Sequence, residues 1–148
     1  MKKIIVPVVL VLAAVIGLFV YYAAQRFDNL SFRSELASHL AQATAAGTLA
    51  AEQDGVSVSL PSGDPLLRVL SRGQSERVRL QEAPQDFYAK ITLLMEEMTF
   101  SLYALNTDQE TVVLEKDLNG ARRWYSLSGY AMYHWLCQAT GLEEKAQP

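Results

Sequence analysis

Twenty-one consecutive residues, Ile4 to Ala24, carry no charge. At about 1.5 Å of helical rise per residue they reach about 31 Å, close to the thickness of a bilayer's hydrocarbon layer. No other stretch constrains the chain as strongly, because such a run is either a secretion signal to be removed or an anchor that stays. A signal has a shorter apolar core, of about 7–15 residues, followed by a small-x-small cleavage site. Here a cut after Ala24 puts Tyr22 at the third position back, where a small residue is needed. A cut after Gly17 leaves "LFVYYAA" as an exposed apolar start. No cysteine follows the run directly, so it lacks the lipoprotein pattern. Tyr21 and Tyr22 fall where an interfacial aromatic belt forms. The run therefore reads as an uncleaved transmembrane anchor over residues 1–24.

Lys2 and Lys3 ahead of the run favour a cytoplasmic N-terminus, with Arg26 and Arg33 on the far side nearly balancing them. The layout is that of a signal anchor: a single pass through a cell inner membrane, with the C-terminal domain extracytoplasmic. Pro7 sits near the start of the helix, where a missing N–H costs little. Ala13 and Gly17, four apart, form a small face on which a second membrane helix can pack.

Setting aside Lys2 and Lys3 takes the formal net charge from −3 to −5. Such a surface does not suit general nucleic-acid binding, which needs a basic face to neutralise phosphates. Cys137 is the only cysteine, so no internal disulfide supports the domain and burial must stabilise it.

Past the anchor, Asp28, Asn29 and Ser31 are helix starters, and Phe32, Leu36, Leu40 and Ala43 recur at helical spacing. They predict a juxtamembrane amphipathic helix over residues 25–47, stopped at Gly47. In "GVSVSL" the strict alternation predicts a half-buried strand with Val56, Val58 and Leu60 inward. "LLRVL" and "ERVRL" read as a hairpin turning at Gly73, with Val78 and Leu80 inward and Arg77 and Arg79 outward. Residues 84–97 fit helix and strand alike; Pro84 at a first helical position and the Lys, Leu, Met and Glu content favour helix. "TFSLYALN", "ETVVLEKDL" and "ARRWYSL" read as strands, with turns at "NTDQ" and Asn119–Gly120. Ser126 or Ser128 then caps a last helix that Gly141 stops. The expected fold class is α+β with antiparallel pairing, in the order α-βββ-α-βββ-α, which hints at a duplicated unit. The soluble domain covers residues 48–142, and residues 143–148 form a polar, frayed tail.

No residue set carries recognisable chemistry. His134 and Cys137 share a helix face, but a zinc site needs three or four protein ligands, so they read as core residues. Ser128, His134 and Asp117 or Glu115 lack a nucleophile elbow. The acids of "DQETVVLEKD" read as a solvated strand face. Neither a cofactor nor an enzyme activity is expected. Arg68, Arg72, Arg77 and Arg79 do stand out, clustered in an acidic chain, as a patch for lipid phosphates or an acidic partner.

These features suggest a single-pass accessory or assembly subunit of a bacterial envelope membrane complex, acting by contact with the bilayer and with other membrane subunits. An anchored ligand- or lipid-binding module is the second expectation, its pocket lined by Trp124, Tyr130, Tyr133 and Trp135.

Overall fold

The computed structural model describes residues 2–108, 110–129 and 131–148, with backbone alone at Lys2, Gln25 and residues 27–31. Helix α1 (Lys2–Ala46) carries the apolar run and the amphipathic stretch as one element. After it come β1 (Ala50–Gln53), β2 (Val56–Ser59), α2 (Asp64–Arg72), β3 (Gln74–Val78), β4 (Phe87–Leu94), β5 (Met98–Leu105), β6 (Val112–Leu118), β7 (Ala121–Ser128) and α3 (Met132–Thr140). The seven strands form one antiparallel sheet in the order β2-β1-β4-β5-β6-β7-β3.

The α+β class and antiparallel pairing expected from sequence are present, and the order α-ββ-α-βββββ-α roughly matches the expected one, with differences in where the middle helix and the strands fall. The stretch at Asp28–Ser31 starts no helix, because the backbone stays helical through it. "DPLLRVLSR" is helix α2, not a strand, so the expected hairpin at Gly73 does not exist. Pro65 opens it, Arg72 closes it, and Leu66, Val69 and Leu70 are buried at helical spacing. Residues 87–94 are strand β4, not helix, with Ala89, Ile91 and Leu93 inward. Strand β1 is additional, and among the described residues no duplicated βββα unit is present. Of the expected inward row, Val58 is partly buried against the core and Leu60, just beyond β2, is buried, while Val56 is exposed. No serine caps α3: Ser126 and Ser128 lie in β7, and Ala131 precedes the helix.

Strands β4 to β7 form a meander at the centre of the sheet. Ile91, Leu102, Leu114 and Tyr125 stand side by side in register across β4 to β7 and face the helices. Asn119 and Gly120, both at positive φ, make the tight β6–β7 turn. Against that row α1 lays Phe32, Leu36, Leu40 and Ala43, each no more than 2% exposed. Phe32 stacks on Tyr125 with ring centroids 4.2 Å apart and meets Phe100 edge-on at 6.3 Å. Burying a Leu or Phe side chain stabilises by about 1.5–3 kcal/mol, so this stripe is a major tie between α1 and the sheet.

The opposite sheet face holds a smaller cluster of Tyr103, Val113 and Trp124, with Val78, Ala83 and Leu105 against it. Residues 79–86 cover it: they carry the chain from β3 at one edge to β4, past β7, β6 and β5.

Candidate functional site

The apolar part of α1, Lys3–Ala24, is long and apolar enough to cross a membrane, and none of it is buried in the fold. Ala13 and Gly17 lie on this open surface, and no atom outside the helix comes within 4 Å of where a Cβ on Gly17 would sit. A second helix therefore meets no obstacle from this chain at that position.

Where α1 docks, its first contacts lie on the β3–β7 side. The Arg33 guanidinium donates to the Gly73 carbonyl at 3.1 Å, and Phe32 covers Tyr125, the register partner of Arg77. Glu35 then meets Lys116 of β6, and the helix ends by feeding β1 in the other half of the sheet. The helix thus traverses the sheet from the β3 edge toward β1. Gly73 sits where backbone segments crowd. A Cβ there would stand 2.9 Å from the Ser128 carbonyl oxygen and 2.6 Å from Met132. Only glycine lets α2 pass into β3 so close to the end of β7.

The four arginines are exposed, but they occupy two elements. Arg68 and Arg72 share a face of α2, Arg77 lies in β3 and Arg79 follows it. Leu80, expected inward, is 41% exposed beside Arg79. Val78 does pack inward, against Trp124.

The aromatics expected to share a pocket are separated. Trp124 belongs to the cluster on the far sheet face, Tyr133 to the main core, and Trp135 is 41% exposed; Tyr130 lies outside the described residues. An open cleft of about 1100 Å³ occurs elsewhere, lined by Gln53, Phe87, Tyr88, Asn106, Leu142 and Lys145 among others. The C-terminal tail forms one wall. Instead of fraying, it is tied down: Gln53 donates to the Glu143 carbonyl at 2.7 Å, and Lys145 N–H donates to the Tyr133 hydroxyl at 2.9 Å. Glu144 meets His134 at 2.7 Å, Lys145 pairs with Asp54, and Gln147 donates to the Asn106 carbonyl at 2.5 Å.

Electrostatics at this end follow burial. Desolvation raises the Tyr133 phenol well above its ordinary value, and it raises Tyr88, which the Glu144 carboxylate pushes further. Burial also raises the Cys137 thiol, so it stays protonated and unreactive near neutral pH. Cys137 is a core residue as expected. His134 is not: it is partly exposed and faces the tail. Among the described residues, no three His, Cys, Asp or Glu side chains are placed to share a metal ion.

Two features were hidden from sequence reasoning. Glu115 and Lys116 are buried rather than solvated: Lys116 reaches Glu35 of α1, and Glu115 accepts from Tyr103 at 3.4 Å and pairs with Arg122 at 3.3 Å. The tail contacts left no sequence signal, because short polar segments at chain ends are frayed by default. No protein-family model, curated protein or solved structure matches the chain.

Proposed function

We propose that this chain is a single-pass, membrane-anchored accessory or assembly subunit of a bacterial envelope membrane complex, acting through contacts with partner subunits. The observation that supports this reading is α1 itself. A fully exposed apolar half of membrane-spanning length continues, as helix, into the stripe that holds the domain core. Removing residues up to Ala24 as a signal would cut inside that helix, so the anchor reading fits better than the signal reading. Ala13 and Gly17 then offer a helix-packing face within the bilayer, and Lys2 and Lys3 favour a cytoplasmic N-terminus with the domain on the other side.

The test is purification from native membranes in mild detergent, with intact-mass measurement. The proposal expects the full-length chain together with stoichiometric partner proteins. A mature N-terminus at Leu18 or Gln25 would refute the anchor. A co-purifying small molecule without partner proteins would instead favour the second reading, an anchored ligand-binding module. The cleft beside Phe87, Tyr88 and the tail would then be its site, not the four aromatics first expected.

A further inference from the structure

The β3 edge combines exposed arginines, an exposed leucine and a position on the membrane side of the sheet. On the reading that α1 is a membrane anchor, we infer that this edge rests on the bilayer surface and binds the phosphates of anionic phospholipids. The groups involved are Arg72 at the end of α2, Arg77 in β3 and Arg79 beyond it, with Leu80 dipping toward the acyl boundary.

The distances fit. Phe32 lies eight residues past Ala24, about 12 Å along a straight helix. It packs on Tyr125 of β7, and β3 lies one strand spacing, about 4.8 Å, further toward the span, because α1 runs from the β3 side toward β1. The headgroup layer takes up roughly 5–8 Å beyond the hydrocarbon. The remaining gap is within reach of an extended arginine, whose apolar stem tolerates the interface while its guanidinium binds phosphate oxygens in pairs.

The chemistry fits too. Between Pro65 and Leu80 four arginines face a single acid, Glu76, in a chain of net charge −3. Among the described residues, Arg68, Arg72 and Arg79 make no ion pair. A basic edge of this kind is drawn toward a negatively charged bilayer even on a chain of net negative charge. Leu80 at 41% exposure is flanked by Arg79 and polar Gln81, the mixture expected of an interfacial contact.

The experiment uses the full chain in lipid nanodiscs, one set of phosphatidylcholine alone and one containing phosphatidylglycerol. Hydrogen–deuterium exchange is followed at the amides of Gln74–Gln81. The expected result is roughly three- to tenfold slower exchange in the anionic discs, weakened at high salt and absent in an Arg72→Ser/Arg77→Ser/Arg79→Ser variant. Wild-type chain alone already decides the point through the lipid comparison, should the variant fold poorly. Equal exchange in both lipids overturns the lipid contact and leaves a protein partner as the edge's occupant. Failure of the chain to insert into either disc overturns the anchor reading as well.

Discussion

The two halves of α1 share one backbone but meet opposite surroundings. From Lys3 to Ala24 the helix is apolar on every side and wholly exposed, a surface suited to lipid. From Phe32 to Ala43 it is apolar along one stripe only, and that stripe is buried against the sheet while Arg33, Ser34 and Ser38 stay exposed. The comparison teaches that helix formation here is nearly indifferent to the environment. How apolar residues are distributed around the axis decides whether a segment belongs to lipid or to a protein core.

The largest expected break in that comparison comes from matched truncations. Phe32→Ala should destabilise the domain by about 3–5 kcal/mol through lost burial and a residual cavity. Phe19→Ala, in the lipid-suited half, should leave it unchanged. Urea unfolding of both variants in detergent, followed by tryptophan fluorescence, checks this, and equal losses would mean that the halves are not distinct.

The polar tie is weaker. Lys116 is 5% exposed at its side chain and Glu35 41%, so Glu35→Gln leaves a buried ammonium without its counter-charge. The pair is half open to water, which brings the expected loss to about 1–2 kcal/mol, below that of a fully buried pair. Adding Lys116→Met should recover most of it, a double-mutant cycle that separates the pair's own contribution from the penalty of an orphaned charge.

The core under the docked half supplies a third test. Cys137→Ala should cost about 1–2 kcal/mol through lost packing, without releasing a metal. Burial raises the proton affinities of Cys137, Tyr88 and Tyr133, so the folded state holds these protons longer than the unfolded chain. The stabilisation they give is complete below the unfolded values, about 8.5 for a thiol and 10 for a phenol, and is lost as pH rises beyond them. Melts from neutral to alkaline pH should therefore weaken from about pH 8.5 upward, and Cys137→Ala should remove the earliest part of the decline.

The smallest expected effect on the domain is none. Gly17→Leu should leave its melting temperature unchanged while weakening association with a partner helix by roughly 1 kcal/mol, read by co-purification. A shifted melt with association intact would invert the roles given to the two halves.

Residues that announce themselves locally were readable from sequence. Asn119–Gly120 fixed the last hairpin, short apolar runs between turn signals marked β5 to β7, and the four-residue rhythm from Phe32 to Ala43 gave the buried stripe. What sequence hid depended on neighbours. Residues 87–94 have helix-compatible content, but a place between β1 and β5 made their alternation decisive over propensity. Ala50–Gln53 lack strand-forming residues altogether and form β1 because β2 and β4 offer backbone partners on both sides. Residues 66–70 looked like a strand because a short apolar run has too few residues to establish a period. Of the arginine patch, the composition was visible but its position was not. That position follows from the direction in which α1 crosses the sheet.

On the reading that α1 is a membrane anchor, its unbroken course also makes the domain beyond it a pointer. Ala46 lies 22 residues beyond Ala24, about 33 Å along the axis. If the span tilts by about 20°, a common angle for membrane helices, the far end swings about 11 Å sideways. A thinner or thicker bilayer, or a partner that leans on the span, would thereby be converted into a displacement of the sheet as a whole. An assembly built around this chain would read the angle of one helix in the lipid as the location of a surface outside it.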